Sequence, residues 1–293
     1  MVTDRVVTVS NGKKTMKLTN RPLWFNAIEG GDSVDVKIVT SQGYDQVGET
    51  LVNSYVASRE LTLKGQIQAS TTYQMQTIRT DLINLFVPQA EITISHYYGG
   101  QRRVLKAVVT KSPKFKFTDV SMVQEYEVKM TAPDPYWTDE TESVHNIADY
   151  IGSFHFPLSI PKEKGVIFGY KNPVLIATIH NASPVKIGME IAFIAHGTVK
   201  NPMLFDVKSR KFMQINTTMK DGDEIRIQTG EDRTITRNRL GVKENFMGHI
   251  DIAGGGYSFL ELQPGDNLFR YGAEEGGSLL EVKIYYKNKY PGV

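Results

Sequence analysis

The chain has 293 residues, 40% hydrophobic and 23% charged, with a net charge of +2, the make-up of an ordinary globular protein of roughly two domains. Residues 1–142 carry 16 basic and 16 acidic side chains and residues 143–293 carry 18 and 16, so neither half has the basic footprint of a nucleic-acid binder. No cysteine is present, which excludes disulfides and thiolate metal sites.

In chain order, residues 5–20 read as two short strands joined by a turn at Asn11 and Gly12, since Asn-Gly between extended segments favours a hairpin. Residues 22–28 predict another strand, stopped by Gly30 and Gly31, with Trp24 in the core. Val34, Val36 and Ile38 alternate on one face of the next strand. Residues 41–54 are polar and contain Gly43 and Gly48, which predicts a long loop, a type of segment often used for function or assembly. Leu61, Leu63, Ile67 and Ala69 alternate with polar residues, as in a half-buried antiparallel strand.

One helix stands out. Ser70, Thr71 or Thr72 can cap it. Met75, Ile78, Leu82, Leu85 and Phe86 form an apolar stripe suited to packing on the domain's own sheet, and Pro88 ends it. Residues 90–110 predict a hairpin turning at Gly99 and Gly100. Arg102, Arg103, Lys106, Lys111, Lys114 and Lys116 make this region basic, and no acid occurs between Ile92 and Lys116. That charge suits either a phosphate-contacting arm or a face that is solvated or meets acidic groups of a neighbouring subunit; the second is the expectation. A last pair of strands, 115–118 and 123–130, runs into Pro133 and Pro135. Prolines donate no ladder hydrogen bond and extend the residue before them. With Asp134, Asp139, Glu140 and Glu142 beside them, they predict a stiff, solvated exit from a first domain of residues 1–142 into a second of residues 143–293.

The second half predicts strands only. Phe154, Phe156, Leu158 and Ile160 alternate, Pro161 breaks the run, and residues 165–169 resume it. Further strands are expected at 174–179, 189–194, 203–207, 212–215, 225–229, 234–236, 257–262 and 279–286. Closely spaced short strands without helical periodicity point to a β-sandwich.

No catalytic or metal constellation emerges. His96, His145, His155, His180, His196 and His249 never pair at ligand spacing. There is no G-x-S-x-G elbow. The glycines at 254–256 lack the lysine of a phosphate loop, and Asp221, Gly222, Asp223 and Glu224 lack the distal ligands of a calcium loop and read as a turn. The expectation is a non-enzyme without cofactors.

Two sets of residues carry a resemblance. The strand ending in A-P-D-P-Y-W at 132–137 resembles the close of the N-terminal domain of siphophage distal tail proteins. The second half resembles the same family's C-terminal domain in the order of its pieces. These are Asn181 with Pro184, Gly197 with Asn201 and Pro202, D-G-D-E-I at 221–225, F-L-E-L-Q-P-G-D-N at 259–267, V-K-I-Y-Y at 282–286 and Y-P-G-V at 290–293. It departs where the family often has Gly after the first Asn; here Ala182 and Ser183 follow Asn181.

The resemblance implies a mainly β protein: an N-terminal antiparallel β domain with one helix and a long hairpin, then a β-sandwich similar to galectins and carbohydrate-binding modules. It implies a structural protein of a phage or prophage tail, a homohexameric ring at the distal end of the tail tube serving as hub for the baseplate. The implied partners are its own copies, the tail-tube protein, and a tail-associated lysin, fibre or receptor-binding protein. Residues 1–7 lack the apolar run of a signal peptide and no stretch nears the roughly 20 apolar residues of a membrane span, so assembly in the host cytoplasm and residence at the virion tail tip are expected, with no membrane partner and no sequence-specific nucleic acid. Arg102, Arg103 and Lys106 are the candidate subunit-interface residues. A carbohydrate-binding adhesin module is the alternative. It is disfavoured because Trp24 and Trp137 lie outside the second domain and the galectin pattern H-x-N-x-R is absent, although Tyr can replace Trp in such sites. A β-sandwich glycan hydrolase or lyase is the third reading.

Overall fold

The computed structural model describes residues 5–18, 21–117, 122–148, 150–152, 169–171 and 176–293. The expected alternation at 154–160, the run at 165–168 and the start of the strand at 174 lie outside them. The chain forms two compact units, residues 1–140 with 289–293, and residues 141–288. The expected division at 142 placed the last five residues with the second domain; here they belong to the first unit.

The first unit contains β1 (Val6–Ser10), β2 (Thr15–Leu18), β3 (Leu23–Glu29), β4 (Val36–Ser41), β5 (Thr50–Val56), β6 (Arg59–Gln68), helix α1 (Thr72–Leu85), β7 (Glu91–Tyr98), β8 (Gln101–Phe117), β9 (Val123–Ala132) and β10 (Trp137–Asp139). The main sheet is antiparallel, in the order β2-β1-β7-β8-β9-β6-β3. Successive side chains alternate between its faces. One face buries Val7, Val9, Leu61, Leu63, Ile67, Ile92, Ile94, Leu105, Ala107, Val128 and Met130.

Helix α1 begins as its sequence directs. Thr71 Oγ1 accepts from Gln74 N (3.1 Å), and Gln74 Oε1 accepts from Ser70 N (2.7 Å). The Thr71 cap is of the kind that contributes about 1 kcal/mol, and the Gln74 amide reaches back one residue beyond it. Ile78, Leu82, Leu85 and Phe86 are buried in the same core as the sheet's inner face. Burying each such side chain stabilises by about 1.5–3 kcal/mol.

Three local expectations are corrected. Trp24 is 37% exposed rather than in the core, because a bulge between Phe25 and Ala27 lets Leu23 and Ile28 take the inward positions of β3. Residues 41–54 are not one loop: β4 and β5 pair as a hairpin from Val36↔Val56 to Ser41↔Thr50. The proline stretch is not a solvated exit throughout. β9 leaves β8 after Thr131, and β10 rejoins it at Thr138↔Val104 and Asp139↔Arg103. Prolines without N–H groups account for the interruption, and the chain then returns to the same sheet.

The second unit contains β11 (Ser143–Ala148), β12 (Tyr150–Gly152), β13 (Gly169–Lys171), β14 (Ala177–Asn181), β15 (Glu190–Ala195), β16 (Val199–Lys200), β17 (Met203–Asp206), β18 (Phe212–Gln214), β19 (Thr218–Met219), β20 (Glu224–Gln228), β21 (Thr234–Arg239), β22 (Val242–Asn245), β23 (Gly265–Gly272) and β24 (Leu280–Tyr286). A six-stranded sheet, β11-β24-β15-β20-β21-β22, and a four-stranded sheet, β14-β23-β17-β18, share one core. Ile191, Phe193, Ile225, Ile227, Val282 and Ile284 from the first meet Ile179, Leu204, Met213 and Phe269 from the second. This is the expected β-sandwich. Residues 257–262 are not a strand, and join the sheets only as isolated β-bridges at Tyr257 and Leu262. β11, β16, β19, β22 and β23 were not foreseen.

Candidate assembly surfaces

The first surface is the β4–β5 hairpin. Every residue of both strands is exposed, including Ile38 at 65% and Leu51 at 62%. Register and pleat put Val36, Ile38 and Val56 on one face and Val39 and Tyr55 on the other. Tyr44 and Val47, in the connection, are fully exposed. β-branched and aromatic residues on alternate positions explain why this stretch forms strands. They do not explain why it stays in water: a lone two-stranded hairpin is marginal at best.

The second surface centres on Trp137, which is 0% exposed and donates from Nε1 to Gly31 O at 2.9 Å. β10 is held between β8 and the terminal segment, through Trp137↔Tyr290 and Thr138↔Lys289. Arg59, nearly fully buried, donates to Gly31 O (2.6 Å) and Gly30 O (3.2 Å) and reaches Pro291 O. Burial pulls its pKa below the ordinary arginine value, against the opposing pull of Asp32, Asp35 and Asp134. Arg103 Nη1 donates to Gly292 O at 2.6 Å, and its guanidinium lies 3.8 Å from the Tyr290 ring centre. Lys289 Nζ meets Asp134 Oδ2 at 2.7 Å. There is no room for a side chain at residue 292, where a Cβ would lie 2.2 Å from Asp32 O.

His96 sits in the same region. It accepts at Nε2 from Arg5 Nε (2.9 Å), and its ring lies 6.1 Å from that of Trp137. Burial first, then the positive charge of Arg5, lowers its pKa to about 4. The sequence offered His96 only as one of six scattered histidines. Its partners come from distant strands, so no spacing could have found it.

The candidate interface residues Arg102, Arg103 and Lys106 do not form one cluster. Arg103 shares the inward-pointing register of Leu105 and Ala107, while Arg102 and Lys106 lie on the opposite face. Arg102 pairs with Glu140 at 3.3 Å and lies 5.7 Å from the Tyr97 ring centre. Lys106 is exposed.

In the second unit, the polar residues that stood out in sequence lock turns. Asn181 is buried, donates to Val185 O and Leu262 O (both 3.0 Å), and accepts from Ser183 N (2.8 Å). Asn267 closes its turn through Gln263 N (2.8 Å), Gln263 O (2.8 Å) and Gly265 O (2.9 Å). Asp223 accepts from Lys220 N (2.8 Å) and Arg239 Nε (2.7 Å), and the Arg239 bond lowers its pKa. The segment 221–223 is thus a turn that leads into β20. Among the described residues, no group of three or more His, Asp or Glu is placed to hold a metal ion, and no helix is long and apolar enough to cross a membrane.

Comparison with known proteins agrees with this geometry. Residues 12–132 match the phage tail protein RIFT-related domain family, and residues 182–290 match the siphovirus-type tail component, C-terminal domain family. The fold is similar to the Dit protein (gp 19.1) of phage SPP1, described as a paradigm of the hub adsorption apparatus in phages infecting Gram-positive hosts. That likeness has a TM-score of 0.69 at 10% identity, over 97% of this chain and 99% of that one. It is also similar to chains of the phage p2 baseplate in its activated conformation. These give a TM-score of 0.55 at 10% identity with strontium and 0.53 at 11% with calcium, each over 99% of both chains. No curated protein matches the sequence. With both halves matched in order, and with the fold to accompany them, the chain belongs to the siphophage distal tail protein family of phage tail components.

Proposed function

We propose that the protein is a structural, non-catalytic hub at the distal end of a siphophage or prophage tail, built as a closed homomeric ring through its first unit, residues 1–140 with 289–293. The β4–β5 hairpin carries this reading. Its two faces expose apolar side chains that an isolated subunit leaves in water, and contiguous apolar patches of this kind mark contact sites. The hairpin and the flank of the main sheet are unlike surfaces of one subunit, and head-to-tail contact between unlike surfaces closes into a ring when the rotation permits. The ring is sixfold, in keeping with the family. Arg102 and Lys106 meet acidic groups of the neighbouring copy, and Arg103 supports the contact by holding the terminal segment. The tail-tube protein docks on one side of the ring. A tail-associated lysin, fibre or receptor-binding protein docks on the other. The protein assembles in the host cytoplasm and resides at the virion tail tip.

Light scattering and negative-stain imaging of the full chain test the ring. The expected particle is an annulus of roughly six times the 32.9 kDa chain mass, and Ile38→Glu with Leu51→Glu dissociates it without unfolding the subunit. A wild-type chain that stays monomeric at high concentration, and also with tail-tube protein present, refutes the proposal.

A further inference from the structure

The outer face of the six-stranded sheet in the second unit carries a trough of about 390 Å³, lined by Glu190, Glu224, Arg226, Gln228, Thr234, Thr236, Asn238 and Lys243. Its shape follows from side-chain length. β21 presents the short Thr234, Thr236 and Asn238 on this face. Its neighbours present longer side chains in register: Gln228↔Thr234, Arg226↔Thr236, Glu224↔Asn238 and Asn238↔Lys243. The floor is low and the walls are high. A second depression of about 340 Å³ shares Thr234, Thr236 and Lys243 and continues past Asn245 to Met247. Both volumes lie in the range of small-ligand sites.

We propose that this trough binds a neutral oligosaccharide. Two carboxylates and two cations line it, so its formal charge cancels, and the central Arg226 is held by Glu190 on one side and Glu224 on the other (Nε to Glu224 Oε1, 2.8 Å). An ionic ligand gains little from a site whose formal charge cancels and whose central guanidinium already holds both carboxylates. A hydroxylated ligand gains donors and acceptors together: the Gln228 amide, which already donates from Nε2 to Glu190 Oε2, hydroxyls at Thr234 and Thr236, and carboxylates and a guanidinium on the wall. A peptide is a poorer fit, because extended peptides add to sheet edges through main-chain bonds, and this trough lies on a face. The site lies wholly within the second unit and does not depend on ring formation.

The test uses the full chain, with saturation-transfer NMR and calorimetry against tetramers of N-acetylglucosamine, glucose and galactose at millimolar concentration. A poly(glycerol phosphate) fragment is the anionic control. At least one neutral tetramer is expected to bind. Thr234→Val with Thr236→Val keeps β-branched residues in the strand but removes both hydroxyls. It should weaken binding by about tenfold, the loss of one to two neutral hydrogen bonds, at an unchanged melting temperature. Should Val strain the strand, Gln228→Ala on the wall provides the second variant with the same expected direction. The proposal is overturned if no neutral tetramer binds, if only the anionic polymer binds, or if both variants bind as the wild type does.

Discussion

Replacing His96 by Gln should flatten part of the acid dependence of the first unit's stability. His96 is 4% exposed, and its Nε2 accepts a hydrogen bond from Arg5 Nε at 2.9 Å, so the folded state holds the neutral ring. Protonation would remove that acceptor and set an imidazolium against Arg5 and Arg103, with only Asp32 in its favour. The folded pKa is about 4, against about 6.5 in the unfolded chain. Between those values the unfolded state binds more protons, so stability falls as pH falls. The penalty is absent above pH 7, reaches about 2 kcal/mol at pH 5 and levels off near about 3 kcal/mol below pH 4. Gln carries an acceptor for Arg5 but does not titrate.

Urea unfolding followed by tryptophan fluorescence reads this directly. Trp24 and Trp137 are the chain's two tryptophans, and both lie in the first unit. Carboxylates titrating near pH 4 act on both proteins, so the difference between wild type and His96→Gln isolates the histidine. The wild type should lose about 2 kcal/mol more than the variant between pH 7.5 and pH 5. Parallel pH profiles for the two proteins would refute the neutral, buried state of His96.

Two further outcomes follow from the packing of the first unit. Leu82→Asp removes a fully buried side chain of helix α1 and leaves an uncompensated carboxylate. The lost packing alone costs about 2–5 kcal/mol and the buried charge adds to it, so loss of soluble, folded protein on expression is expected; a soluble variant with native fluorescence would mean that the stripe faces a partner instead. Gly292→Ala forces a Cβ to within 2.2 Å of Asp32 O. It should lower the first unit's stability by about 1–3 kcal/mol, and an unchanged urea midpoint by fluorescence would show that the terminal segment contributes nothing there.

Local periodicity by itself determined much of this protein. Helix α1, with its threonine cap and its stripe at 78, 82 and 85, was legible because side chains three and four residues apart share a helix face whatever the rest of the chain does. The half-buried strand β6 and the strands β15, β17, β18 and β20 were legible because a pleat sorts alternate residues inward and outward. The order of turn residues in the second half, together with A-P-D-P-Y-W at 132–137, was enough to identify the family, since Asn181, Asp223 and Asn267 each close a turn through near neighbours. What the tertiary structure alone decided depends on partners far apart in sequence. Trp24 and Trp137 look alike in the chain, but a bulge turns Trp24 outward, while Gly31 and the returning residues 289–293 enclose Trp137. Arg102 and Arg103 are adjacent, yet the pleat sends them to opposite faces of β8. The hairpin at 36–56 alternates like any half-buried strand pair, and only the absence of a covering layer within its own unit shows that both its faces are exposed. The trough over β21 depends on the lengths of side chains from three neighbouring strands. Alternation tells which residues share a face, and register across the sheet decides which of them meet.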